Sequence, residues 1–206
     1  MKARAQRPLC WLAVLLCLLG PDLGAQVRRC SIAPAEGTRF ALEVAKTRLM
    51  SGKVHLFLFH RYSGSLAYDA ASPEQSQVEF SIESDSLECK DTWVSSKDLE
   101  KIVAMARNDM LAVDKHARIS FASSRVRRSG EGQFEVEGQL TIRGIARPAL
   151  VRVQVKPAEG GDLLLDGRST VKMKDYGLKP PSAALGMVGT RDEMEVSFVL
   201  RARPGE

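Results

Sequence analysis

The sequence predicts an all-β protein: an antiparallel, up-and-down, eight-stranded β-barrel with one inserted α-helix at about 97–110. Three observations lead there. Apolar side chains recur at every second position in separate runs along most of the chain, which is the spacing of a half-buried strand. Glycine-containing turn signals punctuate those runs: Ser51-Gly52, Gly130-Glu131-Gly132, Arg143-Gly144 and Glu159-Gly160-Gly161. A single segment carries helical spacing instead. Closing the strands into a barrel removes exposed edges; a β-sandwich satisfies the same alternation and stands as the second architecture.

The 206 residues suit one domain with a short extension. Charged residues at 27% and apolar residues at 44% are ordinary for a globular chain. They exclude a disordered, collagen-like or multi-span membrane protein. Part of the net charge of +5 sits in Lys2, Arg4 and Arg7, and no basic stripe with interleaved aromatics follows, which excludes nucleic acid as the partner.

Those three cations precede an apolar run from Leu9 to Leu19, then Gly20, Pro21 and small residues to Ala25. The pattern is that of a secretory signal peptide over residues 1–25, since a membrane span takes about 20 apolar residues. An uncleaved N-terminal anchor is the competing reading. Residues 26–37 are expected as an N-terminal extension and 38–203 as the barrel domain. Cys10 and Cys17 would leave with the signal, so the mature chain would keep Cys30 and Cys89. In an oxidising compartment these two either pair, which in the chain-entropy model stabilises by about 4 kcal/mol, or stay as free thiols. Neither CxxC nor a Cys/His cluster occurs along the chain, which argues against redox chemistry and against a metal.

Taken in order, the strands read as follows. Phe40, Leu42 and Val44 alternate with Ala41, Glu43 and Ala45. Val78, Phe80 and Ile82 alternate with Glu79, Ser81 and Glu83. Phe134, Val136, Leu140 and Ile142 share one parity, as do Val151, Val153 and Val155. Met194, Val196, Phe198 and Leu200 oppose Glu193, Glu195, Ser197 and Arg201. Between them, Leu99, Ile102, Val103, Ala106, Met110 and Leu111 mark the apolar face of the helix. Ser95 or Ser96 serves as its N-cap, and its apolar face covers one opening or one side of the sheet. Gly64, Gly144 and Gly177 are expected where a positive φ or a close backbone approach requires them. Pro148, Pro180 and Pro181 are expected to bound strands.

The order of these segments resembles the YceI-like family, exported bacterial proteins with a lipocalin-like barrel that bind polyisoprenoid lipids. Four stretches carry the resemblance: His60 to Asp69 (HRYSGSLAYD); Val78 to Ile82 with Asp85-Ser86-Leu87; Asn108 to Val113 followed by Ile119 to Ser123; and Val136 to Pro148 (VEGQLTIRGIARP) with Asp175-Tyr176-Gly177-Leu178. Phe57 stands where the family often has glycine, and a phenylalanine there would narrow a lumen. Lys115-His116-Ala117 replaces the family's aromatic-proline pair. The resemblance implies a periplasmic, non-enzymatic protein that sequesters or carries a long-chain isoprenoid or fatty amphiphile. It would act as a monomer or dimer that touches the membrane surface transiently.

An eight-stranded barrel is filled by its own side chains or holds one small ligand. On that basis Phe57, Phe59, Phe80, Ile82, Phe134, Val136, Phe198 and Leu200 are the lumen-lining candidates, with a self-filled core as the alternative. His55, Arg168 and Lys172 interrupt otherwise apolar strands and are the head-group candidates, with plain surface exposure as the alternative. His55 and His60 have opposite parity, which makes them a poor metal pair. Glu79, Glu83, Asp85 and Glu88 read as a solvated face, and neither a phosphate loop nor a nucleophile elbow occurs. The segment from Lys179 to Arg191 is a rim portal or a simple connection. An envelope interaction module with a self-filled barrel is the second functional reading, and an enzyme acting on a lipid head group a distant third.

Overall fold

A computed structural model describes residues 27–205; the expected signal peptide, 1–25, lies outside the described residues. Eleven strand segments form one antiparallel sheet: β1 (Arg28–Ile32), β2 (Arg39–Arg48), β3 (Val54–Phe59), β4 (Tyr62–Tyr68), β5 (Gln77–Glu83), β6 (Leu87–Cys89), β7 (Arg118–Gly130), β8 (Gln133–Ile142), β9 (Ile145–Pro157), β10 (Leu163–Lys172) and β11 (Val188–Pro204). The segments group into eight staves. β1 and β2 are the two halves of one bent stave, because β11 pairs with β2 from Val188 to Val199 and then with β1 from Ala202 to Pro204. β3 and β4 form the second stave, lying against β2 and β1 respectively. β5 and β6 form the third, against β4 and β3. β7 to β11 complete the ring, each beside its sequence neighbour. The expected up-and-down barrel of eight staves and one helix is therefore the observed fold.

Two boundaries differ from expectation. Residues 28–32, read as part of an extension outside the barrel, close it: Cys30 sits opposite both Leu66 and Pro204. Five residues are too few to show a period-two pattern. Pro148 lies inside β9 opposite Gln139 rather than at a strand end. The β9–β10 ladder reaches only to Arg152, so the proline sits where β9 has no partner on its second edge, and its missing N–H breaks no pairing.

The helix α1 spans Ser96–Met105 and runs on through a wider π turn, Ala106–Leu111. Ser95 is its cap, with Oγ accepting from the Asp98 backbone N–H at 3.2 Å. The predicted face, Leu99, Ile102, Val103, Ala106, Met110 and Leu111, packs on the main core. β7 pairs with β5, while among the described residues β6 has its one strand partner in β3; α1 lies against β6 at this gap between staves.

Inside the barrel, Phe40 stacks on Phe80 and Phe198 at 5.6 and 5.8 Å and meets Phe59 edge-on at 6.1 Å. Tyr62 packs on Phe80 at 5.5 Å and donates its hydroxyl to Thr38 Oγ1 at 2.8 Å. Room for these rings comes from glycine. Gly167 faces inward opposite Phe198, and any Cβ there would collide with the Phe198 ring. A second, smaller apolar cluster, Val126, Phe134 and Val136, occupies the end of the barrel near the β7–β8 turn.

Candidate functional site

The barrel encloses a cavity of about 290 Å³ running from the β7–β8 turn to the helix-bearing end. That volume is near the lower edge of small-molecule sites, ~300–1,000 Å³, and it is spread along the barrel, so the space is a narrow tunnel. Its wall is almost wholly hydrocarbon. Alternation aims one parity inward along the regular runs: Leu42 and Val44 on β2, Phe134, Val136 and Leu140 on β8, Val151 and Val153 on β9. On β7 a bulge between Ser123 and Arg125 switches the inward parity from Phe121 to Val126. All eight residues expected to line the lumen, Phe57, Phe59, Phe80, Ile82, Phe134, Val136, Phe198 and Leu200, stand on this wall. Phe57 points inward and is buried.

The polar candidates divide. His55 lies on the wall at the helix-bearing end. Arg168 and Lys172 do not, which corrects the expectation of a head-group contact. On β10 the odd positions Leu165, Ser169 and Val171 face the lumen. The even positions Asp166, Arg168, Thr170 and Lys172 are exposed outside, where Lys172 meets Glu193 at 3.7 Å. A residue that interrupts an apolar strand is inward only if it shares the apolar parity, and these two do not.

Sequence reasoning passed over the cation that does reach the lumen. Lys46 continues the inward parity of Phe40, Leu42 and Val44 and lines the same end of the tunnel, with Nζ 3.5 Å from Thr190 Oγ1. Burial holds its pKa below the ordinary lysine value, partly offset by the negative charge of Asp91. Extending the β2 alternation by one step would have found it.

Beside Lys46, strand pairing assembles a second polar group. Cys89 on β6 is opposite Phe57 on β3, and Val44 on β2 is opposite His55. Asp91, just beyond β6, turns back onto β3: its Oδ1 accepts from the Leu56 backbone N–H at 2.9 Å, and its Oδ2 is 2.5 Å from His55 Nδ1. The Asp91 side chain is fully buried. Trp93 closes the site from outside, stacking on His55 at 5.1 Å and donating Nε1 to the Val54 carbonyl at 3.0 Å. Burial pushes the Cys89 thiol up to about 11, so it is not a ready nucleophile. The donor atoms of His55, Cys89 and Asp91 all lie within 4.8 Å of one another. The expectation that no Cys/His cluster exists is thereby corrected: these residues are 34 and 36 positions from His55 and meet only through the β3–β6 ladder.

Of the two alternatives for the cysteines, free thiols are the outcome. Cys30 and Cys89 are both free and buried, because Cys30 lies on β1 toward the β9–β10 end and Cys89 on β6 at the helix-bearing end. Glu79, Glu83, Asp85 and Glu88 are all exposed, as read from alternation. Arg61 bridges Glu83 and Asp85, and Glu88 takes His60 at 2.7 Å and Lys90 at 2.5 Å. The Lys179–Arg191 segment forms an outer rim in which Leu185 and Met187 stand exposed next to Leu49 of the β2–β3 turn.

Comparison with known proteins bears on the family and the fold. A family model described as "YceI-like domain" matches residues 35–202. A UPF0312 protein of Azotobacter vinelandii is 28% identical over 126 residues, covering 59% of this chain and 62% of that protein. One from Pseudomonas savastanoi is 28% identical over 145 residues, covering 68% and 70%. The aligned segment thus spans 62% and 70% of these two relatives. Among solved structures, Burkholderia cenocepacia BcnA superposes with a TM-score of 0.60 at 20% identity, covering 79% of this chain and 95% of its own. A polyisoprenoid binding domain from Saccharophagus degradans gives 0.60 at 11% identity, covering 87% and 100%. At these identities the superpositions speak for the shared barrel.

Proposed function

This chain belongs to the YceI-like domain family, and we propose that its barrel binds one long, thin apolar chain, an isoprenoid or related fatty amphiphile, without catalysing any reaction on it. The observation that carries this reading is the hydrocarbon-walled cavity along the barrel, with a single lysine in its lining at the helix-bearing end. The Saccharophagus relative of the same fold, a polyisoprenoid binding domain, supports the ligand class. Phe57, Phe59, Phe80, Ile82, Phe134, Val136, Phe198 and Leu200 form the contact wall, and Lys46, Thr190 and His55 receive the polar head. Lys46 favours an acidic or hydroxyl-bearing head.

Each CH₂ moved out of water contributes about 0.8 kcal/mol. A forty-carbon chain summed that way exceeds the practical affinity ceiling of roughly 20 kcal/mol. The relevant reference is therefore the bilayer, and exchange between bilayer and barrel is close to balanced. Leu49, Leu185 and Met187, exposed beside Arg48 at the helix-bearing end, are the contact through which the mouth touches a membrane during loading. Export by residues 1–25 to the periplasm places the protein among such membranes, and cell fractionation tests that step.

The direct test is mass spectrometry of an organic extract of the protein purified without detergent. A near-stoichiometric long-chain isoprenoid or amphiphile is expected. A clean extract together with refusal of added prenyl lipid overturns the reading. Replacing Phe57 by glycine widens the tunnel and is expected to raise prenyl-lipid uptake. The five-ring cluster around Phe40 favours one alternative, a self-filled barrel working through its outer face, and unchanged uptake by F57G would favour it.

A further inference from the structure

We infer that His55, Cys89 and Asp91 form a binding site for one borderline-soft divalent cation of the zinc class at the helix-bearing end of the barrel. Three different donor types converge there, an imidazole nitrogen, a thiol sulfur and a carboxylate oxygen, all within 4.8 Å of one another. Zinc sites use this donor set, with bonds of about 2.0–2.3 Å; a sulfur and a nitrogen ligand together select against magnesium and calcium, which take oxygen.

The surroundings fit an ion better than they fit three unrelated core residues. Asp91 is a fully buried carboxylate that accepts from the Leu56 backbone N–H, pairs with His55 and interacts with the Cys89 thiol. Without metal, the hydrogen between His55 Nδ1 and Asp91 Oδ2 holds the pair at 2.5 Å. Tetrahedral ligands around zinc stand about 3.3–3.7 Å apart, so the two open by roughly 1 Å as the ion takes that hydrogen's place. Charge balances as well. A divalent cation with one thiolate and one carboxylate is neutral, which is the form a buried site tolerates. The protein supplies three ligands, of which His55 also stands on the lumen wall, and a water would complete a tetrahedral set. The ligands are also well oriented. Leu56 N–H fixes the Asp91 carboxylate, Trp93 stacks on the imidazole, and the β3–β6 ladder sets Cys89 beside Phe57. Lys46 is the charged group facing the site from β2, and its ammonium turns toward Thr190.

The site shares His55 with the lipid reading but does not require it. It is tested by cobalt titration of the metal-free full chain, in a background where Cys10 and Cys17 are serine. The expected result is one cobalt per chain with a thiolate-to-cobalt charge-transfer band and tetrahedral visible bands, both displaced by zinc. Cys89→Ser is expected to remove the band and weaken binding about tenfold or more, whereas Cys30→Ser leaves both unchanged. X-ray absorption of the zinc-loaded parent, which needs no variant to fold, is expected to show one sulfur at about 2.3 Å. Absence of a sulfur ligand overturns the inference. So does a band that survives Cys89→Ser, or binding that disappears with His60→Gln, which would place the ion on the exposed His60–Glu88 pair.

Discussion

Two halves of this barrel are built differently. From β7 to β10 the staves are long and unbroken, and β8 and β9 stay in register for ten consecutive pairs. From β1 to β6 every stave is interrupted, between Ile32 and Arg39, between Phe59 and Tyr62, and between Glu83 and Leu87. The unbroken half supplies wall: long alternating runs, apolar inside and charged outside, shifted only at the two bulges of β7, between Ser123 and Arg125 and between Arg128 and Gly130. The broken half supplies chemistry. Lys46, His55, Cys89 and Asp91 all belong to it, and the chain beyond short β6 is free to fold Asp91 back onto β3. Regular ladders repeat one environment; an interruption lets backbone and side chains leave the repeat and converge.

The comparison can be broken most forcefully in the regular half. Gly167→Val places a branched side chain where the Phe198 ring lies. A loss of about 3 kcal/mol in chemical denaturation is expected, at the upper end for overpacking. In the broken half, Asp91→Ala strips His55 and the Leu56 N–H of their buried acceptor. The expected loss is about 2 kcal/mol, measured the same way, with Asp91→Asn losing less. Removing the helix cap with Ser95→Ala is expected to cost about 1 kcal/mol, seen as a lower Tm. The smallest effect is expected on the outer wall. Glu135→Ala removes the half-buried partner of the exposed Arg152 at 3.1 Å and should shift stability by no more than about 0.5 kcal/mol.

A chemical probe sharpens the contrast. Cys30 and Cys89 are buried and unpaired, and burial raises the pKa of both thiols. Alkylation without reductant is therefore expected to be slow on the native protein and to label both residues on unfolding. Because each folded pKa lies above the ordinary thiol value of 9.0, the folded form keeps its proton while the unfolded form releases it. The thiol contribution to stability is thus complete below pH 9 and declines as pH rises past it.

The sequence revealed the regular half more readily than the broken one, for a physical reason. Period two is a local property, and Phe134, Val136, Leu140 and Ile142 could be placed on one face without knowing any partner strand. The same rule, applied to β10, would have kept Arg168 and Lys172 out of the lumen, and applied one step further along β2 would have admitted Lys46. Those are failures to follow parity to its end. The His55–Cys89–Asp91 group is different in kind. Its members are brought together by the pairing of β3 with β6, across a connection containing β4 and β5, and nothing local to His55 announces it. β1 is likewise visible only through its partners, since five residues carry too little pattern.

The seventeen-residue β11 has a consequence for how the molecule comes together. It is the seam strand, bonded to β10 along one edge and to both β2 and β1 along the other. The hairpins from β7 to β10 assemble from neighbours in sequence, whereas Cys30 must find Pro204 across nearly the whole described chain. Such closure comes late and slowly, on the millisecond-to-second side of folding rates. Until it happens, the outer edge of β11 and the first stave stay open and invite pairing with other chains. A truncation or lesion in β11 would therefore show first as aggregation during folding.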